Sequence, residues 1–236
     1  MGIFLARPNK TGDGNPNGGS GNRATEYDDK FTAPVSNKEL FAAAEGSYFM
    51  AITPTPGTGI IGHAAPTTFD ETKPYITLYN GGDKVIYPQF IQLHSTVVSV
   101  AAVRVQFTLA VDTGNRRSSA GTALTINNVN MNSTVASAAA GYVGAVVAAA
   151  ASGTRRVLGN YTFRGSIDVV EDNYELVFGS PGSSSNTASR VATVADITRY
   201  AAPCAIGPGQ TLLVHQWSGS QSTGPTFEVI FGFIER

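Results

Sequence analysis

A glycine triad, an Asp/Asn-rich loop and three histidines are the residues of this chain with the types that chemistry needs. Gly57-Thr-Gly59-Ile-Ile-Gly62 spells G-x-G-x-x-G, the turn that follows a strand and lays a pyrophosphate on a helix N-terminus. Pro54 and Pro56 precede it and His63-Ala-Ala-Pro66 follows, so no helix can start where the mechanism needs one. The spacing reads as a Gly-rich linker. Asp13-Gly-Asn15-Pro-Asn17-Gly18 has the oxygens and glycine that open a calcium loop. Ala24 stands where the closing bidentate Glu belongs, Glu26 comes two residues late, and Pro16 interrupts the run. A turn-rich tether fits it better. His63, His94 and His215 share no H-x-H or H-x-x-x-H spacing, so a metal site would rest on tertiary placement alone.

The other reactive types are thinly spread. Cys204 is the single cysteine and lies in the apolar run Ala201-Ala-Pro-Cys-Ala-Ile206. It can form no internal disulfide, and no neighbouring charge activates it. The acids Asp70-Glu71, Asp112, Asp168, Glu171-Asp172, Glu175 and Asp196 sit mostly at turns. A glycosidase pair could meet only in space, and no G-x-S-x-G elbow, P-loop or C-x-x-C is present. No catalytic residue is nominated, and the chain reads as a non-enzyme with no cofactor, metal or small-molecule substrate. Arg116-Arg117 and Arg155-Arg156 are basic pairs without interleaved aromatics, and the net charge is −1. Nucleic acid is therefore not an expected partner. Tyr75, Tyr79, Tyr87, Tyr142, Tyr161, Tyr174 and Trp217 could include a sugar-stacking platform, but core packing explains them equally well.

The elements that must hold these residues are β-strands. Candidates run Tyr75–Asn80, Val85–Leu93, Val97–Asp112, Leu124–Val129, Tyr142–Ala149, Arg155–Phe163, Ser166–Glu171, Tyr174–Gly179, Arg199–Ile206, Thr211–Trp217 and Thr226–Glu235. Period-2 alternation supports several: Val103, Val105, Phe107, Leu109 and Val111 form one face, and Phe227, Val229, Phe231 and Phe233 another. Gly/Ser/Pro loops at 113–122, 180–189 and 218–225 are long enough to cross between sheets. The fold class is thus all-β, a jelly-roll-like two-sheet sandwich over residues 75–236. The Ala-rich stretch 136–151 reads as strand in preference to helix, on its valines and Gly141 and Gly144.

Residues 1–50 read as an extended N-terminal arm carrying one short helix over 37–45. Ser36-Asn-Lys-Glu39 forms a capping box and Gly46 a C-terminal cap. A Pro/Gly-rich connector spans 51–74. The arm holds too little apolar surface to order alone. Its apolar residues Ile3, Phe4, Leu5, Phe31 and Val35, with Leu40 and Phe41 of the helix, are the candidate partner contacts. Charged residues make up only 14% of the chain, against roughly 25% in an average soluble domain, which points to a surface covered by partners. The start lacks a signal-peptide pattern, Ala6 breaks the myristoylation motif, and 135–151 is too weakly apolar for a span. The expectation is a chain that is neither exported nor in a membrane.

Two stretches carry a resemblance: Gly59-Ile-Ile-Gly-His-Ala-Ala-Pro-Thr-Thr-Phe-Asp-Glu-Thr-Lys-Pro-Tyr-Ile-Thr-Leu-Tyr-Asn80, and Ile206-Gly-Pro-Gly-Gln-Thr-Leu-Leu-Val-His-Gln-Trp217 with Phe231-Gly-Phe-Ile-Glu-Arg236. Over about residues 55–236 the chain resembles tailed-bacteriophage virion structural proteins. Its plan, an arm followed by a jelly roll, resembles capsid cement or decoration proteins. The resemblance implies a homotrimer on the capsid surface, made in the host cytoplasm, that contacts the major capsid protein and stabilises the head. It transfers no individual residue. The alternative is a receptor- or carbohydrate-binding module of a phage tail or head fibre, which would place exposed aromatics in the long loops.

Overall fold

The computed structural model describes residues 4–5, 29–30, 38–64, 67–97, 105–149, 154–164, 170–179, 188–191, 194–217 and 226–236. The chain divides into two compact units, Met1–Phe41 and Ala42–Arg236. In the first, β1 (Phe4–Leu5) pairs antiparallel with β2 (Asp29–Lys30). Helix α1 (Lys38–Glu45) runs across the division. It ends on Gly46, at φ +73°. There the Ser47 N–H donates to Ala42 O at 2.8 Å and the Gly46 N–H to Ala43 O at 3.1 Å, the two bonds of a Schellman cap. Ser36 of the expected capping box lies outside the described residues.

The second unit begins with β3 (Tyr48–Ile52), β4 (Ile60–Ile61), β5 (Ile76–Asn80), β6 (Ile86–Val97) and β7 (Val105–Asp112). After β7 come five short strands: β8 (Arg117–Ser119), β9 (Thr122–Ala123), β10 (Thr125–Asn128), β11 (Ala139–Val143) and β12 (Val147–Ala148). The chain then forms β13 (Arg156–Arg164), β14 (Asn173–Phe178), β15 (Ala188–Val191), β16 (Val194–Ala201), β17 (Thr211–Gln216) and β18 (Thr226–Glu235).

Eight of these strands build the sandwich. One sheet holds the order β3-β18-β6-β14 and the other β5-β17-β7-β13, all antiparallel. Successive strands switch sheets except between β7 and β13. That strand order is the double Greek key of a jelly roll. The remaining strands elaborate it. Strands β8–β12 form an insertion that lengthens both sheets at one edge, with β10 beside β3, β11 beside β5, and β9 outside β11. At the other end of the first sheet β16 adds parallel to β14, and β15 antiparallel to β16.

Alternation explains the core. Phe227, Val229, Phe231 and Phe233 of β18 are fully buried, as are Val105, Phe107 and Leu109 of β7 opposite. Phe227 meets Tyr75 and Tyr174 edge-to-face and Phe107 at a tilt, with ring centroids about 6 Å apart, so its contacts with Tyr75 and Phe107 join the sheets. The Tyr75 hydroxyl donates to Ile60 O at 2.7 Å, and burial pushes its pKa well up.

The sequence reading and the structure differ in places. Tyr48–Ile52, placed in the arm and connector, is a strand of the large sheet. Tyr48-Phe-Met-Ala-Ile follows the helix as a nearly unbroken apolar run without period-2 alternation. Residues 170–171 form a turn where the strand Ser166–Glu171 was expected, and 165–169 lie outside the described residues. Part of the expected 180–189 loop is strand β15. The Ala-rich stretch supplies β11 and β12.

Candidate functional site

Chemistry-bearing side chains gather on the outer face of the second sheet. In β17, Leu212 and Val214 face the core, so the period of 2 turns His215 and the following Trp217 outward. The connector segment before β5 lies across them. Its backbone is fixed by Asp70, whose carboxylate accepts from the Thr72 N–H at 2.9 Å and the Thr72 hydroxyl at 2.7 Å. These two bonds hold the Asp70 pKa below its ordinary value against some burial, with Lys73 helping at 3.3 Å. Thr72 O in turn accepts from the Ala148 N–H of β12 at 2.9 Å.

That turn sets Phe69 over the sheet, 5.0 Å from the His215 ring and 6.4 Å from Trp217. The Arg155 guanidinium stands 5.1 Å above the Phe69 ring and pairs with the Glu71 carboxylate. Trp217 Nε1 donates to the Thr108 hydroxyl at 2.8 Å, which donates to Asn160 Oδ1 at 3.2 Å. Thr68, Phe69, Asp70, Glu71 and Arg155 line an open depression of about 460 Å³. His215 is sealed beneath it. Burial lowers its pKa to about 4, although the Glu71 carbonyl opposes the shift. Its Nε2 lies 3.3 Å from that carbonyl, and Nδ1 has no hydrogen-bond partner. The site offers an aromatic ring, an Arg155–Glu71 ion pair and the Asp70 carboxylate along one depression, features suited to a hydroxyl-rich ligand. A buried neutral imidazole and a carboxylate already paired with Arg155 do not form a nucleophile–base couple.

A second polar group lies further along the same face. Arg116 Nη1 pairs with Asp112 Oδ2 at 2.7 Å, and both side chains are at most 5% exposed. Asp112 Oδ1 accepts from Thr154 at 2.7 Å, and the Ala149 carbonyl accepts from Arg116 Nη2. This is a tether between the sheet and the segment leading to β13.

The other sequence candidates take separate places. His63 Nε2 lies 2.7 Å from Val146 O, and His94 Nδ1 lies 2.9 Å from Asn173 Oδ1. Among the described residues no three His, Cys, Asp or Glu side chains gather as metal ligands. Burial pushes the Cys204 thiol up to about 11, which leaves it protonated near neutral pH. The glycine triad serves the backbone and packing: Gly57 has a φ of +74°, Ile60–Ile61 is β4 beside β18, and a Cβ on Gly59 would run into Thr96 and Thr226. The Asp13–Gly18 loop lies outside the described residues.

Of the arm's candidate contacts, Phe4 and Leu5 form β1, in register with Lys30 and Asp29. Ile3, Phe31 and Val35 lie outside the described residues. Leu40 and Phe41 are on α1, where Leu40 is 68% exposed. The sequence reading did not bring Phe69, Glu71, Arg155, His215 and Trp217 together. No helix among the described residues is long and apolar enough to cross a membrane. Compared with known proteins, the chain matches no family model, no curated protein and no solved structure.

Proposed function

We propose that this chain is a structural protein of a tailed-phage virion, of the cement or decoration kind. In this reading a homotrimer sits on the capsid surface, binds the major capsid protein and stabilises the shell without catalysis. The supporting observation is the architecture. A jelly roll filled by aromatic side chains is preceded by a separate N-terminal unit, which suits a body that seats on a shell and an arm that reaches a neighbour. Linked copies raise effective concentration, so weak arm contacts add up to firm attachment.

Purified virus particles test it. They should carry the chain in fixed ratio to the major capsid protein. Particles stripped of it should release their contents at lower temperature and recover when it is added back. Particles that contain none of it would overturn the reading.

The depression at Phe69, Glu71 and Arg155 supports the second reading, a carbohydrate- or receptor-binding module. Saturation-transfer NMR with bacterial-surface oligosaccharides separates the two, because signal lost in Phe69→Ala would favour the module.

A further inference from the structure

We infer that the edge of the sandwich built by β9 and β10, with the loop that follows β10, is the surface through which one copy of this chain binds another. From Ser118 to Thr154 no residue is Asp, Glu, Lys, Arg or His. That stretch supplies β9 and β10, the strands that end the two sheets on this side. Edge strands present unpaired backbone donors and acceptors, and monomeric proteins guard them with charge, often lysine, or with proline. This edge has neither. Its outward residues are Ser, Thr, Ala, Asn and Val.

The loop that follows β10 strengthens the case. The Asn128 side-chain amide donates to Gly46 O at 2.8 Å and to Val135 O at 3.0 Å. Its oxygen accepts from the Asn130 N–H at 2.9 Å, and the Asn130 amide donates to Ala44 O at 3.0 Å. The loop so braced presents Met131 at 98% exposure, between Val129 at 38% and Val135 at 44%. A preordered loop loses little conformational entropy on binding, and a methionine tip adapts to the surface it meets. The charges at the margin already have partners: Glu45 pairs with Arg236 at 2.8 Å, Glu235 accepts from the Ser137 hydroxyl, and the Arg117 guanidinium of β8 lies 3.5 Å over the Tyr142 ring and donates to Ala120 O at 3.1 Å.

A second copy is the occupant this surface selects. An uncharged edge attracts neither an acidic nor a basic partner in particular, whereas two copies meet without like-charge repulsion or a stranded buried charge. The inference rests only on the oligomeric part of the virion reading and not on the capsid.

Light-scattering mass of the full chain tests it, with Met131→Lys and Asn127→Lys, both at exposed positions, and Val157→Lys as control. Val157 is 52% exposed on β13, which ends the second sheet on the opposite side. The wild-type mass should be a multiple of 24.6 kDa. Each edge variant should weaken association about tenfold or more, with its circular-dichroism spectrum unchanged, and the control should behave as wild type. A wild-type monomer, or an oligomer indifferent to both edge lysines, would overturn the inference. Particle binding by a monomer would do so too while leaving the virion reading standing.

Discussion

His215 is held neutral by its surroundings, and that has a sign in the pH dependence of stability. Its folded pKa is about 4, against an ordinary value of 6.5, with burial the main cause. Between those values the unfolded chain binds a proton that the folded chain does not. Its contribution is therefore complete above about pH 6.5, and is lost as pH falls toward 4, by up to about 3 kcal/mol. Carboxylates also titrate in this range, so the informative quantity is the difference between wild type and His215→Gln in urea unfolding at pH 7.5 and 4.5. The variant should lose roughly 2–3 kcal/mol less on acidification; an equal loss in both proteins would refute the assignment. Arg116 makes a different case. Removing it leaves the Asp112 carboxylate buried without its cation, so Arg116→Met should cost about 3–5 kcal/mol. Adding Asp112→Asn should restore part of that, because the stranded charge, more than the lost pair, is the penalty. A double variant no more stable than Arg116→Met would contradict this.

At the scale of elements, Gly46 and Gly57 separate two effects that a glycine count merges. Both have φ near +75°, where a Cβ costs about 1 kcal/mol. A Cβ on Gly57 meets nothing within 4 Å, whereas one on Gly46 would press on the Ser133 side chain. Gly57→Ala should lower stability by about 1 kcal/mol and Gly46→Ala by about 2–3 kcal/mol, measured by thermal unfolding. Equal losses would mean that the 128–135 loop yields to the added methyl. The Gly46 cap was legible because a helix stop is written in adjacent residues. So were β7, β17 and β18, whose alternation or apolar length fixes their place between two faces. Strand β3 was not, since Tyr48-Phe-Met-Ala-Ile carries no period. Strand β15 lies in a Ser/Asn-rich span whose pairing comes from β16 and not from propensity. The Phe69–His215–Trp217 cluster was illegible for a further reason. Its members are set together by a connector turn crossing a strand far along the chain, a relation that no local pattern encodes.

Among the described residues, the apolar core belongs to the second of the two units. Every described residue of both hydrophobic clusters lies at Ala42 or beyond, and each sandwich strand lies within Ala42–Arg236. The N-terminal stretch ahead of α1 instead has a composition that cannot offset its ordering entropy. Removing residues 1–37 should therefore leave one cooperative thermal transition, within about 5 °C of the full chain, a shift worth no more than roughly 1–2 kcal/mol. Retaining Lys38–Glu45 matters, because Ala42 packs with Tyr48 and Ile234 on the outer side of the first sheet, and the Ala44 and Gly46 carbonyls anchor the loop that presents Met131. A cut after Glu45 should accordingly cost more than a cut after residue 37. It should also weaken self-association, since the loop would lose its brace at Ala44. If both truncations melt alike and assemble alike, α1 is not the support of that edge, and the Asn128 and Asn130 side chains must hold the loop from the sheet side alone.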